Sequence, residues 1–408
     1  MNAADPTKPK FAVLPPLSLY VHIPWCIRKC PYCDFNSHEA RGDVPEAEYV
    51  DALLRDLESA LPHVWGRKVV SVFVGGGTPS LFSAESIDRL LAGVRARLPI
   101  LPGAEITLEA NPGTFERQKF ADFFAAGVNR LSLGIQSFDD AQLQRLGRVH
   151  DADEARRAAE AALMIFGNVN FDLMYALPQQ TVEAAQADLT AALAFSPPHL
   201  SFYHLTIEPN TLFHKSPPPL PDEDTAADIE GAVHATLARS GYAHYETSAY
   251  ARPGRTCVHN VNYWTFGDYL GLGAGAHSKL SFHDRIVRQV RWKQPRQYLA
   301  KVVEGAPLME DTRVARSDIG FEFMLNALRL TAGVPSALFA ERTGFPLSIV
   351  SRALDEAVRK GLLDADPQAL RATELGRRFQ NDLLEIFLPA APGARPHRVT
   401  IEATGVER

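Results

Sequence analysis

Cysteine is scarce in this chain, with four residues in 408. So few cannot staple a small secreted domain, which needs several disulfides in place of a core. Long apolar runs are also missing: none approaches the ~20 residues that a membrane span requires. Residues 1–16 are polar and proline-rich and lack the apolar centre of a signal peptide. Neither sign of charge dominates, with 42 Lys and Arg against 48 Asp and Glu and a net charge of −6. The basic residues are dispersed, so no electrostatic footprint for nucleic acid or an anionic membrane stands out. What remains is a globular chain, 46% hydrophobic, long enough for two domains or one with an appendage. A cytoplasmic setting is expected, because it keeps exposed thiols reduced.

Three of the four cysteines gather in one place. Cys26, Cys30 and Cys33 follow the apolar run 17–23 with C-x3-C-x2-C spacing. Soft thiolates select zinc or iron–sulfur clusters. A structural zinc needs four protein ligands, so His22 or His38 would have to complete the set. A four-iron cluster on three thiolates keeps one iron open for chemistry. Arg28 and Lys29, between the ligands, are expected to lower the thiol pKa values and offset the cluster's charge. A zinc knuckle or free surface thiols are the plainer readings.

From residue 17 onward, short β-branched or aromatic runs alternate with longer amphipathic ones, the pattern of β/α units on a parallel sheet. Strands are expected at 17–23, 69–74, 105–110, 130–135, 169–175 and 199–207, and helices at 46–61, 83–98, 115–126 and 181–195. Right-handed crossovers curl such a sheet into a barrel or part of one, with its site at the carboxyl ends of the strands. Polar residues fall there unit by unit: the cysteines, then Gly75-Gly76-Gly77-Thr78-Pro79, Glu109-Ala-Asn-Pro, Gln136 with Arg148 beyond it, and Asp172 inside an apolar strand. A carboxylate in a buried strand is costly unless paired or bound to something. Singly, each has a bland reading as turn, cap or surface charge; together, at strand ends, they suggest a site.

The C-x3-C-x2-C triplet with Tyr32 resembles the radical S-adenosylmethionine (SAM) superfamily, and Cys-Pro-Tyr-Cys-Asp-Phe-Asn-Ser-His resembles its HemW-type heme chaperones, relatives of the oxygen-independent coproporphyrinogen III dehydrogenases. The resemblance spans residues 17–388 and implies an α/β fold, a partial (β/α)6-type barrel with a mostly helical, winged-helix-like C-terminal domain. It implies a 4Fe-4S cluster on Cys26, Cys30 and Cys33, with SAM chelating the open iron. Tyr20, Gly76, Gly77, Thr78 and Glu109 match SAM-contacting positions, the glycine turn receiving the amino group. Gln136, Arg148 and Asp172 match positions at the same end of the barrel. It further implies heme as cargo, a heme donor, acceptor hemoproteins of the respiratory chain and a peripheral membrane contact.

A second informative stretch is Cys257-Val-His259-Asn260-Val-Asn-Tyr263-Trp264, expected as a loop. By itself, His259 beside two aromatics reads as a structural histidine among core rings. The resemblance makes His259, Asn260, Tyr263 and Trp264 a heme motif, with His259, Cys257 or a residue of the C-terminal appendage as iron ligand. The glycine run 267–275 lacks the βαβ context of a dinucleotide fingerprint and is read as close packing at the barrel rim. Residues 222–311 extend the barrel beyond 17–221. Residues 312–388 read as three helices and a wing that cover the barrel mouth or bind a partner, with too few basic residues to hold DNA. The tail 389–408 is expected to be disordered. The rival function is oxidative decarboxylation of coproporphyrinogen III. The dehydrogenases carry a further cysteine where this chain has Phe35 and a longer leading segment, and both differences, with the heme motif, favour the chaperone.

Overall fold

Leu17, Leu19, Val21 and Ile23 point to one side of β1 (Leu17–Ile23) and are buried there, while Ser18 and His22 are buried on the other. A strand covered on both faces belongs in the middle of a parallel sheet. The computed structural model describes residues 8–113 and 116–389. The leading segment 1–16, expected to be flexible, lies outside these as far as residue 7, while Lys10 donates its backbone N–H to the Gly344 carbonyl; the tail expected to be disordered lies outside them from residue 390.

β1 is followed by β2 (Val69–Gly76), β3 (Ile100–Ala110), β4 (Arg130–Gln136), β5 (Val169–Tyr175) and β6 (His199–His204), hydrogen-bonded in that order and all parallel. Crossover helices α1 (Glu46–Val64), α2 (Ala84–Arg95), α3 (Glu116–Ala125), α4 (Ala152–Ile165) and α5 (Val182–Ala194) cover the outer face. Local chemistry starts these helices. Ser83 and Thr181 accept from backbone N–H groups of α2 and α5, and Asp151 with Glu154 forms a capping box on α4.

Six expected parallel strands become seven. After α6 (Glu223–Arg239), the hairpin β7 (Ala243–Glu246) and β8 (Ala249–Ala251) pairs with β6, and β9 (Asp268–Leu272) lies parallel to β1 on the opposite side. β9 occupies part of the glycine run 267–275, expected to give close packing at the barrel rim rather than a strand. Its own residues give little strand signal, and pairing with β1 decides its conformation. The packing part of that reading stands: a Cβ on Gly273 would lie 2.4 Å from the His22 carbonyl oxygen. β10 (His277–Phe282), β11 (Arg285–Arg291) and β12 (Leu308–Arg313) continue antiparallel from β9, giving the sheet order β12-β11-β10-β9-β1-β2-β3-β4-β5-β6-β8-β7.

The expected 257–264 loop is a helix, α7 (Val258–Trp264). It packs on β1, β2 and β9 at the amino ends of the parallel strands and forms the floor of the partial barrel. The C-terminal unit has the expected three helices, α8 (Arg316–Ala327), α9 (Ala337–Thr343) and α10 (Ser351–Arg359), and two unexpected short ones at Glu374–Arg378 and Gln380–Glu385, with short strand pairings at Val334–Pro335 with Ala369–Leu370 and at Leu363 with Ala372. It builds its own core around Ile319, Phe323, Phe339 and Leu383. It sits by the floor, where Phe323 meets Phe266 and Arg329 lies over Trp264, and it lines no part of the upper cavity, correcting its expected place over the mouth.

Candidate functional site

The carboxyl ends of the parallel strands enclose a cavity of about 410 Å³. Cys26, Cys30 and Cys33 line it together with Gly76, Gly77, Thr78, Glu109, Gln136, Arg148 and Asp172. Ten of the expected residues thus share one space. Tyr20 lies beneath them, its hydroxyl 2.9 Å from His22 Nδ1 and its ring against Phe73.

All three cysteines are half-buried and free, and the Cys33 N–H closes a turn on the Cys30 carbonyl. Burial raises the pKa of Cys26 and Cys33; at Cys33 it is opposed by hydrogen bonds from Ser37 and the Phe35 backbone and, to a smaller extent, by the charge of Lys29, whose ammonium donates to the carbonyls of Phe35 and Ser37. Lys29 acts on Cys33 in the expected direction, but the net lowering expected from the adjacent cations is not found at Cys26 and Cys33, where desolvation outweighs it. Arg148 supplies the positive charge, with Nη1 3.6 Å from Cys30 Sγ and Nη2 donating to Asn111 Oδ1 and the Gly134 carbonyl. Among the described residues, no three metal-ligating side chains converge on a single ion. His22, one candidate fourth zinc ligand, has its ring nitrogens against Tyr20 Oη and the Asn36 carbonyl. The donor set suits a cluster, which spreads its thiolates over separate irons, better than mononuclear zinc.

The glycine turn is imposed by packing. A Cβ on Gly77 would sit 2.5 Å from the Trp25 carbonyl oxygen, and Gly76 has φ +115° with the His22 ring 2.6 Å from where its Cβ would be. The Gly76 N–H donates to Glu109 Oε2, Gly77 to the Ile23 carbonyl and Thr78 to the Trp25 carbonyl. Burial, with Asp172 nearby, pushes Glu109 up to about 8. Asp172 is also raised by burial, against the hydrogen bonds that it accepts from Asn170 and Ser132. Gln136 holds a left-handed backbone, φ 70°, at the cavity wall, where Tyr203 donates to its Oε1. Such strain in a non-glycine residue concentrates at ligand sites.

Asn111, in the strand-end run Glu109-Ala-Asn-Pro, lines the cavity as well, whereas sequence reasoning missed Ser132, Met174 and Tyr203. The period-two polar file His199, Ser201, Tyr203 on β6 was the available signal for the last of these.

The heme motif is at the other end of the barrel. His259 is 2% exposed; its Nδ1 is 3.0 Å from Ser71 Oγ, its N–H donates to Glu105 Oε1, and its ring lies between Phe73 and Tyr263. Burial holds its pKa down at about 3, and Nε2 has no partner. Asn260, Tyr263 and Trp264 are half-buried on the same short helix. Cys257 is buried and donates its thiol to Glu105, with burial pushing it up to about 12. Both of these expected iron ligands are thus buried.

Residues 20–191 match the Radical SAM superfamily, and residues 314–379 match the HemN C-terminal domain. The chain is 50% identical to heme chaperone HemW of Escherichia coli K12 over 377 residues, covering 92% of this chain and 99% of that protein. Heme chaperone HemW of Bacillus subtilis is 33% identical, with 91% of this chain and 99% of that one covered. Radical S-adenosyl methionine domain-containing protein 1, mitochondrial, from Mus musculus is 36% identical, with 95% and 91% covered. Among solved structures, coproporphyrinogen III oxidase (HemN) from Escherichia coli superposes with a TM-score of 0.79 at 26% identity over 92% of this chain and 90% of that one.

Proposed function

The chain belongs to the HemW family of the radical SAM superfamily, and from that premise we propose that it is a cytoplasmic heme chaperone that delivers heme to acceptor hemoproteins. The observation that carries this reading is the convergence of three free cysteines, the glycine turn, Glu109 and Asp172 on one cavity. The heme cargo is supported by the relatives named heme chaperone HemW, which match along almost their whole length.

Cys26, Cys30 and Cys33 would hold a 4Fe-4S cluster and the cavity would hold SAM; together these supply one-electron chemistry when bound. The protein's part is electrostatic. Arg148 compensates negative charge at Cys30 Sγ. Glu109 and Asp172 would present carboxyl groups to a cationic ligand, and Tyr20 lies near Glu109 with its hydroxyl on His22. The turn's amide hydrogens are committed to packing, so its carbonyls are left to meet a ligand's ammonium group.

The heme motif calls for a movement. Tyr263 and Trp264 hold α7 against Tyr269 and Arg329, and His259 reaches a heme iron only when α7 leaves the floor. The test is a hemin titration of anaerobically reconstituted protein followed by absorbance, wild type beside His259→Ala. Saturable binding that the substitution weakens at least about tenfold, with an altered spectrum, supports His259 as ligand. Unchanged binding removes His259 from that role, and absence of binding removes the chaperone reading.

The second reading, coproporphyrinogen III decarboxylation, is favoured by the structural likeness to the HemN oxidase. Against it stands Phe35, 60% exposed at the cavity wall where the dehydrogenases carry a cysteine. A coproporphyrinogen turnover assay decides between them.

A further inference from the structure

Asp172 stands at the upper end of a file of buried hydrogen bonds whose direction is set by the chemistry of its members. Asn170 Nδ2 donates to Asp172 Oδ1 at 2.8 Å and to Ser132 Oγ at 2.8 Å, and Ser132 Oγ donates to Asp172 Oδ2 at 3.0 Å. With its amide nitrogen spent there, Asn170 turns Oδ1 the other way, toward Ser201 Oγ at 3.1 Å and His199 Nδ1 at 2.6 Å. An amide oxygen only accepts, so the proton of His199 is on Nδ1. Burial and Arg130 hold the ring neutral. Its bare Nε2 therefore accepts from Tyr245 Oη at 2.8 Å, and Tyr245 Oη accepts from the Cys257 N–H at 3.3 Å.

Every donor points the same way, from the Cys257 backbone through Tyr245, His199 and Asn170 to Asp172. His199 is 0% and Asn170 1% exposed, so reversing any one link would leave a buried donor or acceptor unpaired. Apolar side chains would fill this interior without that constraint. Instead, the polar file runs from the residue entering α7 to the cavity carboxylate.

We propose that Asn170, His199 and Tyr245 are positioning residues that hold Asp172 aimed into the cavity and tie ligand affinity there to the seating of the Cys257 loop. This rests on Asp172 being a ligand contact. The probe is SAM, measured by equilibrium dialysis against the anaerobically reconstituted holoprotein carrying Tyr245→Phe, Asp172→Asn or both. Tyr245→Phe keeps the ring and removes the hydroxyl. It is expected to weaken SAM by about fivefold or more, while adding no more than about twofold to the loss from Asp172→Asn, because residues in one network are not additive. His199→Asn, which can donate from the Nδ1 position, should lose less affinity than His199→Leu. Equal losses from Tyr245→Phe in both backgrounds, or equal losses from the two His199 variants, would overturn the relay as a general packing effect. Unchanged affinity in Asp172→Asn would instead overturn Asp172 as a ligand contact, and the relay with it.

Discussion

Glu109 shows how one side chain's position changes its chemistry. In sequence it ends a strand; in the fold it is a desolvated carboxyl beside Asp172, raised from 4.5 to about 8. A raised acid stays protonated in the folded state while its unfolded counterpart ionises, so its contribution to stability falls as pH rises between those two values. Urea unfolding of the cluster-free protein should therefore show stability declining from about pH 5 to 8, by up to about 1.4 kcal/mol per pH unit from this group. Glu109→Gln, which cannot ionise, should flatten that slope and be the more stable protein at pH 8. Parallel curves would mean that Glu109 is already ionised at neutral pH. The cysteines illustrate the converse: their spacing is legible in the sequence, but the balance between neighbouring cations and burial is set only once the loop is packed.

At the scale of elements, α7 is the least expected feature. Seven residues of mixed polarity give no periodicity long enough to announce a helix. Its register is fixed by contacts distant in sequence: Asn262 Nδ2 donates to Ser18 Oγ and to the Asp268 carbonyl, and His259 meets Ser71 and Glu105. If hemin binding draws α7 outward, the Cys257 N–H leaves Tyr245 and Asp172 loses its orientation. Hemin-saturated protein should then bind SAM more weakly, and SAM-saturated protein should bind hemin more weakly by the same factor, as linkage requires. Paired titrations check this; independent affinities would show that α7 stays seated when hemin binds.

At the scale of the molecule, buried ion pairs fasten the antiparallel extension to the parallel strands. Asp56 of α1 accepts from Arg291 of β11 at 3.3 Å, from Tyr298 at 2.8 Å and from the Gly273 N–H at 3.4 Å. Asp268 of β9 pairs with Lys279 at 2.9 Å and with Arg67 at 2.8 Å. Removing one partner leaves a buried charge uncompensated. Arg291→Met should cost about 3–5 kcal/mol in urea unfolding, with Asp56→Asn in the same background recovering part of it. A loss within about 0.5 kcal/mol, as at an ordinary surface position, would show that this ion pair does not fasten β11 to α1.

The sequence by itself determined the cysteine triplet, the alternation of strands and crossover helices and, through the polar residues at strand ends, ten of the residues that line the upper cavity. These are local signals: ligand spacing, period-two and helical patterning, and the rule that parallel strands present their carboxyl ends to a site. Tertiary structure alone decided that β9 joins β1, that the C-terminal unit lies by the floor, and that His259 and Cys257 are enclosed below the cavity. Each depends on residues far apart in the chain coming into contact, and so does burial, which set the protonation of Glu109, Cys257 and His259 against their ordinary values. No reading of neighbours along the chain contains that information, because desolvation belongs to the packed interior.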